Sequence, residues 1–309
     1  IDRITKFNEE TSKGLDTSSG QHETDIKSLL KIKENIMLVQ QHKNQDMLEL
    51  EVMEQALANL EVKKTQYAKK GEHEHCKNLI KAMEKLSDKS EVSDKEIAPF
   101  MKKQGEKTKS DIDSFENVLK RFFLELKKMD IYKYETGHES ALAQIKTLEE
   151  EVADFTKKYD DYEYFSHMFA LEEGPGGAKK NLEMITQEVE VLKALWEQIE
   201  ACEKKFEEYL NTEWGNVKAI AMSDEIRALM KSLNAIKRVD KKTGTFRGGM
   251  QKLKSWEVFL SMINELKDEA MTVGEDEEDR HWDAFKALFE DFEVEDTMKL
   301  EMFWNFEMY

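Results

Sequence analysis

Two prolines, two cysteines and 13 glycines in 309 residues leave this chain short of the residues that break helices or staple small folds. So little Pro and Gly excludes collagen-like and Pro/Gly-rich disordered classes. Cys76 and Cys202 stand far apart, which excludes a disulfide framework and fits a reducing, intracellular compartment. No uninterrupted apolar run approaches the length that spans a bilayer, and no signal peptide is visible. Excess positive charge is missing too. A formal charge of −18 argues against nucleic acid, whose phosphates need a basic surface, and against anionic membranes. The chain starts at Ile1 without an initiator Met and reads as a piece of something longer. What is present is 36% charged, 39% apolar and 9% aromatic residues. Helices suit that balance, and the aromatic content is too high for a disordered acidic tail.

Periodicity carries the fold. Residues 1–24 are polar, with Gly14, Ser18, Ser19 and Gly20 close together, and are expected to form a frayed start or loop. A long helical pattern runs from Asp25 to about Lys70 through Leu29, Ile36, Met53, Leu57, Leu60 and Tyr67, and breaks at Gly71. A shorter helix carries Leu79, Ile80, Met83 and Leu86. Residues 87–108, rich in Lys, Ser, Asp and Glu and holding Pro99, read as a connection. Three stripes then follow at steps of three and four: Ile112 to Met129, Ile145 to Phe169, and Leu182 to Ile199. Such spacing keeps one apolar face per helix, and successive long stripes predict antiparallel helices packed along their lengths. The predicted fold is therefore all-α, an elongated array of antiparallel helical bundles with long heptad-like helices. Gly174-Pro175-Gly176-Gly177 marks a stop, with a left-handed Gly and a Pro that cannot continue the ladder. Lys241-Lys242-Thr243-Gly244 marks another, with Gly248-Gly249 shortly after. Between the stops Ser223 is the expected N-cap of a helix carrying Ile226, Met230 and Leu233. Leu253 to Leu266 and Trp282 to Phe292 are the last stripes, before an aromatic end at Phe303, Trp304, Phe306 and Tyr309. Three segments result: 1–108, a polar start and helical bundle; 109–238, a second bundle; and 239–309, a further helical region. No repeat of fixed length supports tandem spectrin-like units.

Reactive constellations are sparse. The segment Gly174 to Lys180 lacks the Gly-Lys-Ser/Thr ending of a phosphate loop. His73, His75 and Cys76 are two and one apart with no second cluster to complete four metal ligands, so a solvated polar turn is expected there. The acidic run 275–279 lacks the alternating ligands and central Gly of a calcium loop. No catalytic, cofactor or metal residue is assigned.

Leu195-Trp196, then Trp214, Asn234-Ala235-Ile236, Trp256, Phe259-Leu260, Ile263-Asn264-Glu265-Leu266 and Arg280-His281-Trp282 appear in an order that resembles dynein heavy chains where the tail meets the linker. The run Asn264 to Met271 is similar to axonemal outer-arm chains of the alpha or beta type. One departure is Val273-Gly274 followed by five acidic residues, where the family has a short basic turn. The resemblance implies a non-catalytic segment that connects a cargo-anchoring tail to an ATP-driven microtubule motor and transmits force, in an axoneme or the cytoplasm. ATP and Mg are implied only for a motor ring further along the polypeptide. Other heavy chains, intermediate chains and light chains are implied as partners, with no direct microtubule contact from this segment. Trp196, Trp214, Trp256, Arg280, His281 and Trp282 are the implied structural anchors. A helical-bundle scaffold unrelated to motors is the alternative.

Overall fold

The computed structural model describes residues 1–15, 26–62, 71–267 and 297–305. Among them are eight α-helices and no β-strand, so the all-α expectation holds. In chain order they are α1 (Asp2–Leu15), α2 (Ile26–Val62), α3 (Glu72–Leu126), α4 (His138–Met168), α5 (Gly176–Leu210), α6 (Ala219–Ala235), α7 (Gly244–Leu266) and α8 (Leu300–Asn305). Single 3-10 turns occupy 130–132, 134–136 and 214–216. The chain divides into two compact units. One comprises residues 1–117 with 158–178, the other 118–157 with 179–309. Helices α3, α4 and α5 contribute residues to both.

In the first unit α1, α2 and the N-terminal half of α3 share one core. Leu29, Ile32, Ile36 and Val39 of α2 meet Ile4 and Leu15 of α1 and Leu79, Met83 and Leu86 of α3. Each such aliphatic side chain contributes roughly 1.5–3 kcal/mol when withdrawn from water. Lys33 pairs with Asp94, Cys76 Sγ with the Leu50 carbonyl, and His73 with Glu54. Residue numbers rise along α2 as they fall along α3, so the two helices are antiparallel. Arg3 reaches Asp46 and Glu49 at 2.7 and 2.9 Å, and Phe7 packs on His42. These contacts set α1 antiparallel to α2.

Several local expectations are corrected. Residues 2–15 are helix, not a frayed start, because Ile4, Asn8, Thr11 and Leu15 recur every three or four residues on the buried face. Residues 87–108 lie inside α3. The stripe persists there in small or polar guise, with Ser87, Ser90 and Thr108 buried beside Ile97, which made a helix face look like a loop. Pro99 sits within α3 and removes one ladder donor on an exposed turn. The segment at His73 to Cys76 opens α3 and is no solvated turn, since Cys76 is fully buried and burial pushes its thiol pKa up. At the end of α4 the left-handed residue is Ala170, φ 48°, not Gly174. There Leu171 N–H returns to Ser166 O and Ala170 N–H to His167 O, a Schellman closure.

In the second unit the expected stripes are buried. Leu182, Ile185, Val189, Leu192, Trp196 and Ile199 all face the core of α5. Leu253, Trp256, Leu260, Ile263 and Leu266 do so along α7. Ser223 is not an N-cap: α6 begins at Ala219, and Ser223 is buried within it beside Met222 and Ile226. Gly248 and Gly249 fall inside α7, whose true start is capped by the Thr243 hydroxyl accepting from Phe246 N–H.

Candidate functional site

Three adjoining clusters in the second unit collect three of the sequence-derived anchors, Trp196, Trp214 and Trp256. The first forms around the carbonyl of Ile131, in the two 3-10 turns between α3 and α4. Trp196 Nε1–H from α5 and the Thr245 hydroxyl from α7 both donate to it at 2.9 Å, all three groups buried. A carbonyl has two lone pairs, and this one uses both to tie three elements together. Flanking tyrosines complete the tie. Tyr132 donates to Glu188 of α5 at 2.6 Å, an acceptor shared with Lys127, and Tyr134 donates to Glu203 of the same helix. Burial is the first cause that raises both phenol pKa values, and the adjacent glutamate is the second. Cys202 is pushed up to about 11, also by burial.

Glycines permit the closeness. A Cβ on Gly248 would fall 2.3 Å from Tyr134 Cβ, and one on Gly244 2.9 Å from the Tyr132 carbonyl oxygen. The pair Gly248-Gly249 is therefore a landing surface for the 130–136 turns and for Ile199 and Leu233, and not a helix break.

Trp256 lies at the centre of the second cluster. Its ring stacks on Phe206 of α5 at 5.1 Å and on Trp304 of α8 at 4.3 Å, with Tyr209 and Phe259 meeting its edge. Lys252 sits 4.8 Å above the Trp304 ring, a cation held against the π face. The buried indole N–H of Trp256 finds no acceptor among the described residues. Tyr209 donates to Glu225 of α6 at 2.8 Å. That bond, with Lys205, lowers the Glu225 pKa.

The third cluster surrounds Trp214, whose ring stacks on Phe303 at 4.5 Å. Lys267 covers the same ring at 4.9 Å while donating to the Trp214 carbonyl. Trp214 N–H donates to Met298 O at 2.7 Å and Leu300 N–H to Thr212 O at 2.9 Å. An isolated antiparallel bridge, Glu213 to Lys299, results.

The structure thus places Trp196, Trp214 and Trp256 in three buried neighbourhoods of one unit. Arg280, His281 and Trp282 lie outside the described residues, as do the acidic run 275–279, Phe306 and Tyr309. Sequence reasoning missed Thr245, Tyr132 and Tyr134. The one available signal was Gly244-Thr245-Phe246-Arg247-Gly248-Gly249, a run too glycine-rich for a helix start unless something must approach it. The arrangement fixes helices to each other. No group of three or more His, Cys, Asp or Glu side chains gathers for a metal among the described residues, and no described helix is long and apolar enough to cross a membrane.

Comparison with known proteins relates part of this chain to dynein heavy chains. Residues 182–309 match the family described as dynein heavy chain, N-terminal region 2. That segment holds all three clusters apart from Lys127 and the 130–136 turns. The chain is also similar to the dynein alpha chain of the flagellar outer arm of Chlamydomonas reinhardtii, 20% identical over 285 residues. The match covers 89% of this chain and 6% of that relative's length. The resemblance to dynein heavy chains read from the motifs is borne out by both matches.

Proposed function

We propose that this segment is a passive mechanical element of an axonemal outer-arm dynein heavy chain. It connects the tail to the linker of the motor and carries load between them. ATP hydrolysis and its Mg ion belong, in this reading, to a ring elsewhere in the parent polypeptide. Intermediate chains, light chains and neighbouring heavy chains are its partners.

The observation that carries the reading is the Ile131 carbonyl, tied at once by Trp196 and Thr245. A load-bearing joint needs elements whose relative positions are over-determined. Two buried hydrogen bonds on one acceptor, backed by stacked aromatics, supply that without reactive groups. The match to an outer-arm chain of a flagellum supports the axonemal location.

Peptide mapping by mass spectrometry of the native polypeptide that contains Ile1–Tyr309, extracted from axonemes, tests the proposal. Downstream peptides bearing several Gly-x-x-x-x-Gly-Lys-Ser/Thr loops are expected. A polypeptide that ends near Tyr309, or one absent from axonemes, would overturn it.

A further inference from the structure

Between α1 and α3 of the first unit lies a cavity of about 430 Å³. That is within the range of small-molecule clefts, about 300–1,000 Å³. Helix α1 lines it with Asn8 and Ser12, four residues apart and so on one face, and α3 answers with Lys85 and Lys89 at the same spacing. Lys89 Nζ donates to the Ser12 carbonyl at 3.1 Å and to its hydroxyl at 3.4 Å, which fixes one ammonium at the seam of the two helices. Lys13 adds a third cation, and Glu9 is the single carboxylate of the lining. The cavity is thus net positive in a chain whose formal charge is −18. Lys13 and Lys85 form no ion pair among the described residues, although most lysines around them have carboxylates within reach of their helix.

Asn8 supplies the second observation. It lines the same cavity, is 8% exposed, and neither its Nδ2 nor its Oδ1 finds a partner among the described residues. Native structures rarely bury such a pair unused. A donor and an acceptor side by side match a hydroxyl, which accepts from one and donates to the other. Lysines clustered within a few ångströms of a ligand call instead for a compact dianion, such as a phosphate group. Ala82 and Leu86 complete the wall with apolar surface against which a short carbon skeleton can lie.

We infer that the cavity between α1 and α3 binds a small hydroxylated phosphomonoester, of the sugar-phosphate class. Its phosphate rests on Lys13, Lys85 and Lys89 and one of its hydroxyls on Asn8. The acidity of the whole chain does not prevent this, because charges beyond a Debye length of about 8 Å are screened while the lining lysines are in contact. A ligand held this way bridges α1 and α3, and binding stabilises the first unit by mass action.

Isothermal titration calorimetry of the 309-residue chain with glucose 6-phosphate and glycerol 3-phosphate, from about 10 μM to about 10 mM, reads the binding. Saturable one-to-one binding is expected, weakened by added salt. The esters should bind at least about fivefold more tightly than inorganic phosphate, the worth of one further hydrogen bond, and glucose should not bind. Lys85→Gln, at an exposed position, should weaken binding at least about tenfold through the loss of a charge-assisted bond. Asn8→Leu should reduce the esters to the level of inorganic phosphate while raising the urea midpoint, which separates lost recognition from lost folding. Lys128→Gln, exposed in the other unit, leaves binding unchanged. Circular dichroism checks that each variant keeps its helices. A chain that binds neither ester up to about 10 mM, binding indifferent to Lys85→Gln and Asn8→Leu, or inorganic phosphate bound as tightly as the esters would overturn the inference.

Discussion

The Trp304 ring lies almost flat on that of Trp256, with 4.3 Å between centroids and 15° between planes. The two residues do unequal work. Trp256 is fully buried, whereas Trp304 keeps one edge towards solvent. Removing the first opens a cavity in the middle of α5, α7 and α8; removing the second uncovers a face that water can reach. Trp256→Ala should cost on the order of 3–5 kcal/mol and Trp304→Ala about 1–2 kcal/mol, the scale of its ring contacts with Trp256 and Phe259 and its Lys252 cation. Urea unfolding followed by tryptophan fluorescence measures both. Equal losses would mean that the stack is not organised around Trp256.

Thr245→Val keeps the shape of the side chain and deletes its donor. The Ile131 carbonyl then depends on Trp196 alone, and about 1 kcal/mol of stability should go. Thr245→Ser should restore most of it. Gly248→Ala is the steric counterpart. Its methyl would overlap Tyr134 Cβ, so the 130–136 turns must move, at roughly 1–3 kcal/mol. Hydrogen exchange at Lys133 and Gly137, whose amides close these turns onto Asp130 and Tyr134, should accelerate in both Thr245→Val and Gly248→Ala.

Alkaline pH should loosen the same unit before neutral or mildly acidic pH does. Tyr132 and Tyr134 are half-buried and Tyr209 is buried, each beside a glutamate, and their pKa values are raised. Groups with raised native pKa values contribute stability in full below their unfolded value, near 10 for tyrosine. That contribution is lost as pH climbs from there towards the native pKa. Tm should therefore fall above about pH 10, and Tyr134→Phe should flatten the fall while lowering Tm at pH 7. An equal alkaline slope in wild type and the Tyr132→Phe/Tyr134→Phe/Tyr209→Phe chain would contradict this account.

Asn8 is the weak point of the first unit. Its side chain is 8% exposed, and neither amide atom finds a partner among the described residues. Burying such a group unpaired costs about 1–3 kcal/mol. Asn8→Leu should raise the urea midpoint by an equivalent of about 1–2 kcal/mol. A loss of stability would show that the amide has a partner in solution.

Much of this was legible before any coordinates. Strong stripes of large side chains, such as Leu182 to Ile199, identified buried faces because nothing but core explains them. The reading failed where small or polar residues occupied that face. Ser87, Ser90 and Thr108 hid the middle of α3, and Asn8 and Thr11 hid α1. Ser223 looked like a cap because capping and burial draw on the same small hydroxyl residue. The anchors Trp196, Trp214 and Trp256 were found by motif, but their partners were not. Thr245 and Ile131 are 114 positions apart, and a bond from a side chain to a distant carbonyl leaves no periodic trace. The glycines of α7 showed as breakers because the sequence displays the missing Cβ and not the ring that occupies its place.

The small bridge between Glu213 and Lys299 changes how tension would travel through this chain. A pull on α8 arrives at Thr212 and Trp214 through two backbone hydrogen bonds and the Phe303 ring, and at α7 through the Trp304 stack on Trp256, bypassing α6. Helix α6 is shunted out of the path while the bridge holds. It comes into series with the load once the bridge opens. The segment would then behave as a spring with two stiffnesses, short and taut below the rupture force of the bridge and longer and softer above it.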